Sequence, residues 1–122
     1  MATIKNYTDL PQSKKLAEIL SLESADMCYI KDKPNIGFLQ EEYKEFGDTI
    51  LQDYYPCWSL ATLFSVLPDS TDIVKDKADT ENEKYMCTVG VKYDIISTFG
   101  NNPVDVCVEM IIKLHELNLL WL

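Results

Sequence analysis

The sequence predicts an α+β fold: a small antiparallel sheet of three to four strands, with an N-terminal helix, a short central helix and a long C-terminal helix packed on it. Three observations carry this expectation. Asn102, Pro103 and Asp105 form a helix-start signature, and Val104, Cys107, Val108, Ile111 and Leu114 then fall on one helical seam. Tyr85 to Ile95 alternates apolar and polar residues with the period of a strand. The 122 residues match one domain, 1–122. A domain of that size buries roughly two-thirds of its unfolded surface and needs no metal or disulfide to fold.

Taken in order, Asp9-Leu10-Pro11-Gln12 supplies a capping carboxylate, a proline in the first turn and the reciprocal Gln of a capping box. Leu16, Ala17, Ile19 and Leu20 give the stripe of a helix over Leu10 to Leu20. Ala25 to Ile30 reads as a short strand, and Lys31-Asp32-Lys33-Pro34-Asn35 as a turn. From Ile36 to Tyr55 the pattern fits either a short helix or an extended excursion. Tyr55-Pro56-Cys57-Trp58 is extended, since Pro56 biases its predecessor away from helix. Ser59 then caps a short helix carrying Leu60, Leu63, Phe64 and Leu67 at helical spacing. In Asp69 to Lys84, Ile73 and Val74 mark a strand followed by an acidic loop.

Within Tyr85 to Ile95, the residues Tyr85, Cys87, Val89, Val91, Tyr93 and Ile95 share one face of a continuous strand. Alternatively, Lys92-Tyr93-Asp94 holds a tight reversal and Ile95 to Phe99 is the second strand of a hairpin. Val106, Met110 and Leu117 widen the seam of the last helix. Glu109 and Lys113 have the favourable i,i+4 order on its solvent side. Asn118 is suited to the left-handed position that closes that helix.

Twenty acidic residues stand against eleven basic ones, all Lys, for a net charge of −9. Without Arg the chain lacks the planar fork that reads phosphate and guanine bidentately, and its field repels nucleic acid and anionic membranes. Direct nucleic-acid binding is not expected. Met1 to Asp9 has no apolar signal core, and no apolar run approaches the about 20 residues that cross a bilayer. The expected location is cytoplasmic, with no membrane partner.

No catalytic, cofactor-binding or metal-binding residue is assigned, and no cofactor is expected. Cys28, Cys57, Cys87 and Cys107 are scattered within apolar patterns, which suits core thiols better than paired zinc ligands. His115 is the one imidazole, and it lies near a helix end. Glu41, Glu42 and Glu45 could face a hard cation, but nothing has EF-hand spacing. No GxSxG, HExxH, Walker A or GxGxxG pattern occurs. Two aromatic or apolar clusters suit an interaction surface: Tyr54, Tyr55 and Trp58, and the terminal Leu120, Trp121 and Leu122 with Leu119. Trp58 also suits a place at the edge of the core.

The stretch Pro56-x-Trp58-Ser59-Leu60-x-x-Leu63-x-x-x-Leu67-Pro68, together with Asn102-Pro103-Val104-Asp105-x-x-Val108-x-Met110-Ile111-x-x-Leu114, resembles a group of short proteins carried in prophage-like and mobile regions of gut bacterial genomes. The resemblance implies a phage or mobile-element setting; that group has no assigned activity, so it implies no residue role. A hairpin, an Asn-Pro turn and a long helix, in that order, are also similar to HicB-like antitoxins, an analogy of topology alone.

The functional expectation is a non-enzymatic protein that binds an unknown protein partner, with a homodimer as one form. An acidic mimic of nucleic acid, using Glu41 to Asp53 and Asp69 to Glu83 against a host enzyme, is the alternative. An antitoxin-type partner ranks beside it, and a small cation-dependent hydrolase ranks last.

Overall fold

Seven side chains of one helix, Val104, Val106, Cys107, Val108, Met110, Ile111 and Leu114, are buried to 2% exposure or less. That is more than one stripe, so this helix must be covered on more than one side. The computed structural model describes residues 5–30, 33–36, 54–75 and 85–120. Its elements are α1 (Leu10–Ala17), a 3₁₀ turn (Leu22–Ser24), β1 (Met27–Ile30), β2 (Lys33–Ile36), β3 (Tyr54–Cys57), α2 (Leu60–Val66), β4 (Thr71–Lys75), β5 (Tyr85–Val91), β6 (Asp94–Gly100) and α3 (Pro103–Glu116). The α+β class and all three helices stand as the sequence predicts. The strands divide between two antiparallel sheets, ordered β2-β1-β3 and β4-β5-β6.

The long helix α3 lies between β5 and β6 on one side and α2 and α1 on the other. The main core gathers Leu16, Leu20, Trp58, Leu63, Leu67, Cys87 and Val89 around it. A second, smaller cluster joins Met27, Tyr29 and Cys57 to Tyr7, Leu10 and Tyr55. Its existence follows from the pleat of β1: Met27 and Tyr29 point to one face, and Cys28 points to the other, into the main core. Strand β1 is thus covered on both faces. Where the residue types over Lys31–Asn35 predict a turn, Lys33–Ile36 is a strand instead, paired with all of β1.

The caps are those the sequence predicts. Asp9 and Gln12 close a reciprocal capping box on α1. Ser59 accepts from the Thr62 N–H at the start of α2. Asn102 accepts from the Asp105 N–H at 2.9 Å at the start of α3. At the other end of α3, Asn118 has φ 58. The Leu119 N–H donates to the Leu114 carbonyl and the Asn118 N–H to that of His115, the paired bonds of a Schellman closure.

Two stretches depart from expectation. Helix α1 ends at Ala17, and Ile19 and Leu20 reach the core through a tightened last turn bonded to Leu16. In α2, Phe64 is exposed, and Leu60, Leu63, Val66 and Leu67 face the core instead. The segments 37–53 and 76–84 lie outside the described residues, and with them the Glu41–Glu45 cluster and most of both acidic stretches.

The reversal at Lys92 is real, and it decides which residues face the core. Val91 pairs with Asp94 across the two-residue loop Lys92–Tyr93, and the register continues without a break to Tyr85 and Gly100. Paired positions sum to an odd number, so the odd residues of β5 and the even residues of β6 share a face. Cys87 and Val89 therefore point inward with Ile96 and Thr98, and Tyr93 and Ile95 do not continue their face. Lys92 has φ 50, a left-handed value that a side chain resists. Lys92→Gly is expected to stabilise the fold by about 0.5–1 kcal/mol, the relieved clash less the added freedom of the unfolded chain. A rise in the urea midpoint at unchanged slope would show it. At the far end of β6, a Cβ on Gly100 would meet Val106 Cγ1 at 3.1 Å, a tight contact that Val106 would have to yield to.

Candidate functional site

Three polar or thiol clusters lie inside or at the edge of this frame. The first is a buried knot at the junction of the N-terminal segment, α1 and β3. Thr8 and Ser13 are both fully buried, and their hydroxyls bond at 2.7 Å. The Thr8 hydroxyl also accepts the Trp58 N–H at 3.2 Å, and the Tyr29 hydroxyl donates to the Thr8 carbonyl at 2.6 Å. Cys57 Sγ sits 3.5 Å from both Thr8 Oγ1 and the Thr8 carbonyl oxygen. Burial pushes the Cys57 thiol up, and burial likewise pushes the Tyr29 hydroxyl far up. A thiol held protonated is a packing group, not a nucleophile.

The second cluster is a buried thiol pair, Cys87 on β5 and Cys107 on α3. The hydrogen bond between them raises Cys107, with burial adding to it, and lowers Cys87. Both side chains have zero exposure. No substrate reaches them from solvent in this conformation. All four cysteines are buried, and none is in a disulfide.

The third is an ionic clasp. Lys5 Nζ donates to Asp105 at 2.8 Å, Asp9 at 2.9 Å and Gln12 at 2.6 Å. Gln12 and Asn102 each donate to Asp105 as well. The ammonium thus joins the N-terminal ends of α1 and α3, where carboxylates are favoured by the helix dipoles. Burial alone would raise Asp105, but bonds from Lys5, Gln12 and Asn102 outweigh it and hold the carboxyl below its ordinary value. Burial likewise pulls Lys5 down, and its two carboxylates more than reverse that.

The signs give opposite pH windows. The stabilisation from Asp105 is present above its ordinary pKa of 3.8 and is lost as pH falls through its lowered value. That from Lys5 is present below 10.5 and is lost as pH rises through its raised value. Wild type is expected to be more stable than Asp105→Asn at pH 6, with the gap closing below about pH 4. Urea unfolding of both chains across that range checks it. A gap that stays constant in acid would remove the clasp from the account.

The surface offers a different kind of site. On the face of the second sheet turned away from α3, Val74 pairs with Met86 and Met86 with Phe99. These three form an apolar row across all three strands, roughly 10 Å wide at the usual strand spacing. Val74 and Phe99 are 46% and 48% exposed. Ile95, two residues along from Ser97 on the same face, is 72% exposed, and Tyr93 stands free at the hairpin tip. Asp72, Thr88 and Ser97 form the polar row beside the apolar one. Such an exposed apolar strip, rimmed by polar residues, is the composition of a contact surface.

The residues singled out from sequence are dispersed by the fold. Trp58 is fully buried, with its indole N–H donating to Ser24 Oγ at 2.9 Å. Tyr55 is half-buried, and the Lys14 ammonium lies 4.9 Å from its ring centroid. Tyr54 pairs with Ile30 at the start of β3. Leu119 and Leu120 pack partly against the main core, and Trp121 and Leu122 lie outside the described residues. The sequence reading missed Val74, Ile95 and Phe99. The signal was the adjacent pair Ile95-Ile96, because one of two neighbours on a strand must point away from the core.

His115 is exposed. Among the described residues, no three His, Cys, Asp or Glu side chains gather as a metal site, and no helix is long and apolar enough to cross a membrane. Comparison with protein-family models, with curated proteins and with solved structures gives no match to this chain.

Proposed function

We propose that this chain is a non-catalytic protein-binding protein whose contact surface is the outer face of the second sheet. The observation that carries the reading is the Val74–Met86–Phe99 row, an apolar strip with both ends exposed that is held across three hydrogen-bonded strands. Rigid placement lowers the entropy lost on binding, and a polar rim fixes orientation. The net charge of −9 favours a partner with a basic rim around an apolar centre. Four buried cysteines outside any disulfide suit a reducing compartment, so the proposed location is the cytoplasm. The phage or mobile-element setting is proposed on the Pro56–Pro68 and Asn102–Leu114 motifs alone.

The test is affinity capture from the host cell with wild type and Val74→Glu in parallel. Val74 is half-exposed at an edge of the sheet, so the substitution leaves the core intact. A protein retained by wild type and depleted about tenfold or more by the variant is the expected result. Equal recovery on both baits would move the contact surface elsewhere.

A further inference from the structure

Among the described residues, four strands form the edges of the two sheets: β2, β3, β4 and β6. Three of them carry the residues that discourage further pairing. Strand β2 contains Lys33 and Pro34, β3 contains Pro56, and β4 contains Asp72 and Lys75. After Asp94 at its start, β6 reads Ile95-Ile96-Ser97-Thr98-Phe99-Gly100, with neither proline nor charge. Its register with β5 has no bulge. No strand pairs with its outer side among the described residues.

The main-chain groups on that outer side can be identified. Ser70 Oγ donates to the Gly90 carbonyl at 2.9 Å, so Gly90 directs its carbonyl toward β4. Main-chain groups alternate in direction along an antiparallel strand, so Val89 and Val91 bond to β6 and Gly90 does not. Gly90 is paired with Ile95. It follows that Ile95, Ser97 and Phe99 direct their N–H and C=O groups away from β5, to the open edge. These are the same residues whose side chains lie on the outer face.

We infer that β6 pairs antiparallel with β6 of a second copy of this chain, about a two-fold axis at Ser97. This goes beyond the partner-binding reading, which uses the face and not the edge. In this register Ile95 opposes the partner copy's Phe99, Ser97 opposes its own counterpart, and Phe99 opposes Ile95. The three pairs exchange two main-chain hydrogen bonds each, six in all by the alternation rule. Each Ile95–Phe99 pair is an aromatic beside a β-branched side chain, a favourable cross-strand combination. Asp94 meets Gly100, so no like charges are opposed along the edge. The two sheets become one continuous sheet of six strands, and the apolar face doubles in length. With −9 on each copy, the pairing strengthens as salt shortens the Debye length from roughly 30 Å at 0.01 M to 10 Å at 0.1 M.

The test is sedimentation of the purified full chain over a range of concentrations, with Ser97→Pro and Ile95→Glu beside it. Ser97→Pro removes an N–H that faces the open edge, and Ile95→Glu puts a carboxylate against the partner copy's Phe99. Wild type is expected to dimerise, and each variant to raise the dissociation constant about tenfold or more with the circular dichroism unchanged. Should the proline variant lose its fold, Ile95→Glu alone decides. Amide exchange gives a sharper check: Ile95, Ser97 and Phe99 N–H groups are protected only at dimer-forming concentrations, and Ile96 and Thr98 at all concentrations. A monomeric wild type, a dimer that survives Ile95→Glu, or uniform protection along β6 would overturn the inference. A monomer that still captures a foreign protein through Val74 would leave the partner-binding reading standing.

Discussion

Trp58→Ala is expected to destabilise the fold by about 3–5 kcal/mol, the range for deleting a large buried aromatic. That is a large share of the roughly 5–15 kcal/mol that holds a domain together. Trp58 is fully buried, and its neighbours in the main core come from α1, α2, β5 and α3. No single element can shift to fill the space, so the cavity term applies nearly in full. The lost indole N–H adds to the cost, since it bonds Ser24 Oγ at 2.9 Å. Trp58→Phe separates the two contributions: it keeps much of the ring and loses the bond. Urea unfolding followed by far-ultraviolet dichroism measures both. A cost of less than about 1 kcal/mol for the alanine variant would mean that the core is far looser than described.

The second large effect comes from a smaller change. Thr8→Val removes one oxygen and keeps the shape, yet it is expected to cost about 2–4 kcal/mol. The Thr8 hydroxyl serves Ser13 Oγ and the Trp58 N–H, and both of those groups are buried. Leaving a buried polar group unpaired costs roughly 1–3 kcal/mol; here the Trp58 N–H loses its acceptor, and Ser13 Oγ loses its hydroxyl partner and keeps only the Cys57 thiol. A double variant, Thr8→Val with Ser13→Ala, should recover part of the loss because it removes the underbonded Ser13 hydroxyl. Adding Ser13→Ala alone completes a four-chain mutant cycle, which gives the coupling directly. If Thr8→Val proves neutral, the knot does not hold the N-terminal segment to β3.

The parts of this fold that were legible in the sequence are those set by local chemistry. Asp9 with Gln12, Ser59, and Asn102 with Pro103 each specify a helix start through bonds within four residues. Asn118 likewise closes α3 through its own backbone angle. The long-range arrangements were not legible. Nothing near Lys5 indicates a partner 100 positions away at Asp105. Thr8 and Ser13 look like surface residues by type, and only the approach of Trp58 and Cys57 makes them interior. Residue types over Lys31–Asn35 favour a turn, but pairing with β1 overrides the preferences of Pro34 and Asn35 and makes Lys33–Ile36 a strand.

The interaction surface shows the same division. Aromatic richness drew attention to Tyr54, Tyr55 and Trp58, but composition does not distinguish a buried ring from an exposed one. Trp58 is fully buried in the main core. For Ile95 and Phe99, facing depends on the parity of the hairpin loop. A loop of two residues at Lys92–Tyr93 exchanges the odd and even faces between β5 and β6. With a three-residue loop, Ile95 would have pointed inward. The alternation and a reversal at Lys92-Tyr93-Asp94 were visible; the loop length that sets the parity was not.

The place of α3 in the middle of the core has a consequence for biosynthesis. Among the described residues it supplies seven of the sixteen buried side chains of the main cluster, and it is the last element in chain order. At roughly 5–20 residues per second, translation leaves the apolar faces of α1, α2 and β5 without their common partner for several seconds. The main core cannot close before Pro103 to Glu116 has been made. Until then Leu16, Trp58 and Leu63 are ligands for whatever chaperone the cell offers.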